Sequence, residues 1–472
     1  MVLSRQPVPH KKGHFRDGNY QRASRDRGTR WNRCCRPRRA PRSLFLCRSL
    51  GLGVVLSSVI PKRSERFALH DRGKVLVQLM AVIAGGGESC ADIEYLRSEP
   101  SLFGFVPSGS TVWRTFGEIA PETREALKGA MAEVRAEVWR RSAATAGDDP
   151  ATLDVDASLV TIHTDDKPGT GPTYKGGWGF HPLLVFADGT GECLSGMLRP
   201  GNAGANTVAD HVVVLDEALA QLPSEIARGH CVGDDPSLVG RAVTIRSDSA
   251  GCTEGFLAAC RARNVGFAVV ARRNAQVEAA IFDAIGLEEL WAPAVRQDKE
   301  LREGAAVIEL TSLVDLSHYP SGTRLIVRRE PLHPGAQQSL FPSLEHRYWG
   351  HYTDRDGDPV VLDAFMRAHA HVEEHIARLK DSGLLRFPFS NLEANRTWLF
   401  VVAAAADLVR WFQLLCLDGA LAAARPKTLR WSFFHAPGRL VRSARREIVR
   451  VLDGWPTADA LLSACRRIAL IT

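Results

Sequence analysis

Between residues 151 and 271 the chain switches from helical to strand periodicity, and no other stretch constrains the fold as much. Runs rich in β-branched residues at 152–162, 178–187 and 191–198 are separated by turn residues at 167–171 and by Asp188-Gly189. A helix is expected at about 207–221, a fourth strand at 242–248, a helix at 253–263 and a fifth strand at 265–271. Asp156 closes the short β-branched stretch 152–156 that opens the first run, within Leu153-Asp-Val-Asp-Ala-Ser, and Asp248 closes the fourth, within Ile245-Arg-Ser-Asp-Ser-Ala-Gly. Both carboxylates are expected at strand ends.

Asp154 and Asp156 lie two apart on one strand and share a face, so the residues leave open which of them would bind a metal. The third acid, Glu373, sits in an amphipathic stretch at 361–379, with Lys380 seven residues further along the same face. Singly, such acids are ordinary turn, cap or exposed-helix residues. Here they occur in the order strand, strand, strand, helix, strand, helix, strand, which is that of the RNase H-like fold. That fold carries acids on its first and fourth strands and takes a third from a helix. Asp156, Asp248 and Glu373 would then form an oxygen cage for two Mg2+ or Mn2+ ions about 3.5–4 Å apart, suited to in-line attack on a phosphodiester. Neither Ser158 nor Ser249 has a positioned base, so no covalent enzyme intermediate is expected.

The expected class is α/β: an RNase H-like catalytic core with a β-rich insertion, flanked by N-terminal and C-terminal helical regions. Residues 1–48 read as a basic, disordered extension, or as the product of a start upstream of the true one. Residues 49–148 read as a helical DNA-binding region and 149–272 as the first part of the core. The β-rich insertion would occupy 273–358, with strands at 305–310, 323–329 and 346–352, because the interval from Asp248 to Glu373 far exceeds one strand and one helix. Residues 359–395 would carry the core helix with the third acid, and 396–472 a C-terminal helical region. Helices at 74–84, 89–97 and 110–116, the last capped by Ser110, are compatible with a helix-turn-helix presenting Arg114 to DNA and with a plain helical bundle.

The net charge of +7 is unevenly spread. Residues 1–48 hold 14 Lys/Arg against Asp17 and Asp26, a net of +12, which leaves the remainder at −5. Bulk charge thus gives no argument for DNA binding by the folded body; local patches must supply it. One patch runs through 425–450, where eight Arg/Lys oppose only Glu447 and Trp431, Phe433 and Phe434 interleave; it reads as a DNA-backbone surface or a solvated helix face. Ten cysteines with no CxxC pair and no Cys/His ligand spacing argue against structural zinc and for reduced thiols. The most apolar stretch, 399–417, contains Asp407 and Arg410 and reads as a core helix, so no membrane span is expected.

Five linked motifs carry a family resemblance: Asp154-Val-Asp-Ala-Ser-Leu-Val, Tyr174-Lys-Gly-Gly-Trp-Gly-Phe-His-Pro, Leu198-Arg-Pro-Gly-Asn-Ala-Gly-Ala-Asn, Arg246-Ser-Asp-Ser-Ala-Gly, and Glu373 with Lys380-Asp-Ser-Gly-Leu. In this order, from about Val54 to the C-terminus, they resemble the DDE transposases of bacterial insertion sequences, specifically the thirteen-eighty family. The resemblance implies a cytoplasmic, nucleoid-associated cut-and-paste transposase. It would bind double-stranded DNA at its terminal inverted repeats as a homodimer, nick each element end and join the ends to target DNA. The related four/Tn-five superfamily carries a Tyr-Arg-Glu-Lys signature; Glu373 and Lys380 match it, while Met366 and His369 stand in place of Tyr and Arg. In those relatives the insertion supplies an aromatic that stacks on a flipped base. Trp349 is the candidate for that role, a core tryptophan being the plainer reading. Arg324, Arg328 and Arg329 would track the DNA backbone and Lys380 would hold a phosphate. Two competing readings are an RNase H-like DNA nuclease without strand transfer, and a catalytically silent DNA-binding regulator of its own element.

Overall fold

The computed structural model describes residues 31–33, 42–62, 69–97, 100–142, 151–164, 166–332, 346–443, 446–452 and 454–471. Its centre is one mixed sheet of nine strands, numbered in chain order: β1 (Ala151–Ala157), β2 (Leu183–Ala187), β3 (Cys193–Met197), β4 (Val243–Ser247), β5 (Val265–Val270), β6 (Ala292–Val295), β7 (Leu301–Glu309), β8 (Arg324–Pro331) and β9 (His346–Thr353). They lie in the order β6-β7-β8-β9-β5-β4-β1-β2-β3. β1, β4 and β5 are parallel, whereas β2 and β3 return antiparallel through the Asp188-Gly189 turn. The parallel steps need crossovers, supplied by helices α1 (Val208–Leu219) and α2 (Glu254–Arg261). Every residue of β2 and β4 is buried, as expected for strands covered on both faces, where apolar runs replace alternation.

The succession of strands and helices predicted for 151–271 is found in the main sheet, but the first two runs each break, and Val160–Ile162 and Trp178–Phe180 pair in a separate small sheet. The β-rich segment, however, is not a separate module. β9 pairs with β5 from His351↔Val270 to Thr353↔Ala268, so β6 to β9 extend the core sheet. The helical flanks also merge. Helix α4 (Leu392–Cys416) buries Trp398, Trp411 and Phe412 in one core with Leu76, Met80 and Ile83 of Arg72–Ala84, Val134 of Pro121–Arg141 and Leu461 of Ala458–Leu470. An apolar surface nearly all round a helix requires such complete packing. Among the described residues α4 is the helix long and apolar enough to cross a membrane, and here it lies inside the fold.

Polar ties join the flanking helices to the β2–β3 turn of the sheet. Arg135 is fully buried and donates to Glu192 at 3.0 Å and to Asp407 at 2.6 Å, while Trp139 and Trp411 donate their indole N–H groups to Glu192. The described cysteines are free thiols, all buried except Cys231.

Three local expectations change. Within 1–48, Trp31–Arg33 pairs with Arg446–Leu452, and Arg42–Ser49 is a helix burying Leu46 and Cys47, because an apolar run interrupts the basic tract. Residues 1–30 and 34–41 lie outside the described residues. The stretch 425–450 is helical only over its first part, Pro426–Leu429 and Arg430–Phe434; Gly438–Ser443 and Arg446–Leu452 form an antiparallel hairpin. The helix carrying Arg114 is Gly109–Gly117, capped by Ser108 instead of Ser110, with the Ser108 hydroxyl accepting the Thr111 N–H at 3.3 Å.

Candidate active site

The register between β1 and β4 sets the site. Asp154 is paired with Arg246 and Val155 with Ser247, so one step further Asp156 falls beside Asp248. Side chains two apart on a strand share a face, which brings all four polar residues to one side of the sheet. Asp248 then leaves the strand in a turn. Its Oδ1 accepts the Ala250 N–H at 2.9 Å and its carbonyl accepts the Gly251 N–H at 3.2 Å. A Cβ at Gly251 would stand 2.5 Å from Ser247 Oγ, so this turn needs glycine there. Glu373 comes from helix α3 (His371–Leu379), where it is exposed and makes no hydrogen bond or ion pair among the described residues.

Asp156 registers the convergence. Its carboxyl pKa is pushed up to about 6, first by burial and then by the charges of Asp248 and Glu373, against the pull of the Ala157 N–H (2.7 Å) and His369. Acids from two other elements therefore lie near enough for their charges to reach Asp156. Among the described residues, no group of three or more His, Cys, Asp and Glu is drawn together closely enough to enclose a metal ion. The chemistry of the donor set still fits a hard divalent cation: three carboxylates, with Asp248 and Glu373 exposed and Asp156 half-buried, offer only oxygen donors.

Asp154 is occupied elsewhere. Arg246 donates to both its oxygens, at 2.8 and 2.7 Å, and His369 Nδ1 lies 2.8 Å from Oδ1. Arg246 also reaches Asp188 in the β2–β3 turn at 2.9 Å and the Phe365 carbonyl at 2.9 Å. Burial works to raise the Asp188 pKa, but His375, Arg246 and His371 around it hold it well below the usual carboxylate range. His371 Nδ1 lies 3.0 Å from Asp188. The helix bearing Glu373 is thus tied to β1 through His369 and to the β2–β3 turn through His371.

The other predicted contacts divide. Trp349 is not a core residue: it is 44% exposed and lines a cavity of about 690 Å³ with Arg272, Arg273, Arg347 and Ser249, the residue after Asp248. The Arg347 guanidinium sits over its ring at 5.4 Å. Lys380 is half-buried with no ion pair among the described residues, at the end of α3, where Lys427 and Arg425 approach Asp381 at 3.1 and 3.8 Å. Arg114 is exposed and, among the described residues, reaches only Ser110 and Thr111 of its own helix, each at 3.4 Å. Arg328 does not face solvent; it is buried against Asp363 (2.7 Å) and Glu330 (2.7 Å). Arg329 pairs with Glu288 and lies 4.5 Å over the Trp291 ring, and Arg324 pairs with Glu309 at 2.6 Å. These three arginines are committed within the fold.

Sequence reasoning missed the parts played by Arg246, Asp188 and His369. The available signal was positional: Asp154 and Arg246 each stand two residues before an acid, on strands expected to be neighbours.

Residues 45–472 match the family model described as Transposase DDE domain group 1. No curated protein matches the chain. Among solved structures the chain is similar to the piggyBac transposase in a cryo-EM synaptic complex with hairpin DNA, at 12% identity and a TM-score of 0.43, over 86% of this chain and 82% of that one.

Proposed function

The chain belongs to the transposases with a group 1 DDE domain, and on that premise we propose that it is an insertion-sequence transposase of the bacterial thirteen-eighty family that cuts its element ends and joins them to target DNA. The reading assigns Asp156, Asp248 and Glu373 as the DDE triad on an RNase H-like core. The observation that carries it is the register of β1 and β4, which sets Asp156 beside Asp248, with Glu373 near enough for its charge to reach the Asp156 carboxyl. Asp154 is set aside as a ligand because both its oxygens are taken by Arg246.

Two divalent ions, Mg2+ or Mn2+, held by the triad would supply an activated water or 3′-hydroxyl and a charge sink for the leaving oxygen. The chain's own residues do the rest. Arg246 and Asp154 fix the two strand-borne acids in register. His369 and His371 hold the Glu373 helix over them. Lys380, two turns further along the same face, holds a phosphate of the DNA strand. Trp349, beside Ser249, stacks on a base displaced near the cut. A homodimer bridging two inverted repeats, working at the nucleoid in the cytoplasm, completes the reading.

The test is cleavage, in Mg2+, of DNA carrying the sequences that flank the gene, beside Asp248→Ala and Glu373→Ala. Cuts at the element ends that vanish in both variants are expected. Cutting without joining would favour a nuclease, binding without cutting a silent regulator, and absence of both would end the transposase reading.

A further inference from the structure

The segment between β1 and β2 carries a motif the chemistry above leaves unused, Tyr174-Lys-Gly-Gly-Trp-Gly-Phe-His-Pro. Val160–Ile162, Gly171–Pro172 and Trp178–Phe180 form a small sheet of their own, with Trp178–Phe180 in the middle. Both legs start at the acids. The first strand begins at Val160, just past Asp156 in sequence. The second leads into His181, whose imidazole lies close enough to feel the Asp248 charge.

The base of this hairpin is pinned. Phe180 is fully buried with its ring 4.9 Å from that of Phe387, and the Lys167 ammonium donates to the Phe387 carbonyl. A Cβ on Gly169 would meet Leu392 at 2.5 Å. The tip is different. Tyr174 is 76% exposed and Trp178 39%, and the Lys175 ammonium stands 5.6 Å from the Tyr174 ring. Gly176 and Gly177 both adopt positive φ, 83° and 77°, and the turn is closed by Thr173 N–H to the Gly177 carbonyl at 2.9 Å and Gly176 N–H to the Thr173 carbonyl at 3.0 Å. Backbone geometry, with the Thr173 hydroxyl donating to the Gly176 carbonyl at 2.7 Å, therefore holds two aromatics away from the core.

We propose that this hairpin binds single-stranded DNA, its Tyr174 and Trp178 stacking on bases and Lys175 neutralising a phosphate of the strand that cleavage frees beside Asp156 and Asp248. The proposal rests on the transposase reading. Aromatic faces stack on any base, and an adjacent ammonium supplies the phosphate contact, which is the chemistry that holds unpaired nucleotides. A protein partner would need an apolar surround, whereas the tip offers threonine, glycine and lysine. Trp178 is three residues from His181, about 10 Å along an extended strand. That distance corresponds to about three nucleotides at 3.4 Å each.

The experiment uses the full chain and a fluorescent oligo(dT) strand, a probe that does not depend on the element's sequence. Tyr174→Ala should weaken its binding about five- to a hundredfold, the loss expected of one base–aromatic stack, and Tyr174→Phe should restore it. Blunt duplex of the flanking DNA should bind Tyr174→Ala as it binds the parent chain. Unchanged oligo(dT) binding, or equal losses on strand and duplex, would overturn the proposal. A benzoylphenylalanine at position 174 should crosslink to the strand; crosslinking only to a second copy of the chain would replace it with a protomer interface. If the parent chain never cuts flanking DNA while oligo(dT) binding still depends on Tyr174, the transposase reading fails and the strand site stands.

Discussion

Arg246 grips Asp154 through two parallel hydrogen bonds, Nε to Oδ1 at 2.8 Å and Nη2 to Oδ2 at 2.7 Å, and both residues stand two positions before an acid of the proposed triad. The pair is buried, so removing one member strands the other's charge away from water. Arg246→Ala is expected to destabilise the protein by about 3–5 kcal/mol. Adding Asp154→Ala should cost less than the sum of the two single changes. Arg246→Lys keeps the charge and loses the fork, so it should unfold later than Arg246→Ala yet cleave poorly. Urea midpoints of the set, with cleavage rates, check this.

Asp156 sets a pH dependence. Its folded pKa of about 6 lies above the ordinary carboxylate value near 3.9, so the folded state holds this proton more tightly than the unfolded chain. Its contribution to stability without metal is fully present below about pH 4 and is lost as pH rises through about 6. Metal must displace the same proton, so Mn2+ affinity should fall steeply below about pH 6. Thermal unfolding from pH 4 to 8, with and without Mn2+, should show the slope, and Asp156→Asn should flatten it and abolish cleavage.

Asp407 repeats the sign far from the acids. Burial foremost, with Glu192 adding to it, raises its carboxyl to about 7 despite Arg135. Stability from this group is present below about pH 4 and lost towards pH 7. Asp407→Asn should therefore gain on the parent protein as pH rises from 4 to 7, and unfolding midpoints that run parallel for the two would refute this.

Trp349 should matter for cutting and little for folding, because it is exposed beside the cavity next to Ser249. Trp349→Ala is expected to slow end cleavage about five- to a hundredfold with an unchanged unfolding midpoint, and Trp349→Phe to recover most of the rate. A drop in the midpoint as large as that of a core tryptophan would contradict the stacking role.

The element order and the strand-end acids were legible because two-residue and 3.6-residue periods differ within a short window. What stayed hidden depends on partners far away in sequence. Asp154 and Arg246 are 92 residues apart, and only strand register joins them. The arginines of β8 looked available because their neutralising acids come from elsewhere: Glu288 from a turn before β6, and Asp363 from helix Pro359–Arg367. The continuity of β6 to β9 with the core was equally invisible, since it hangs on the single junction of β9 with β5.

That junction has a mechanical meaning. β9, which carries Trp349, lies two strands from β4, whose end carries Asp248, and two steps of about 4.8 Å place them about 10 Å apart. β9 is hydrogen-bonded to β5 from Gly350 to Thr353, and β5 to β4 along the whole of β4, so the offset between the strands cannot stretch without unzipping the sheet. A loop inserted on either side can change which DNA is gripped. On the proposed reading, it cannot change the spacing between a base stacked on Trp349 and the Asp248 carboxylate, which the sheet itself sets.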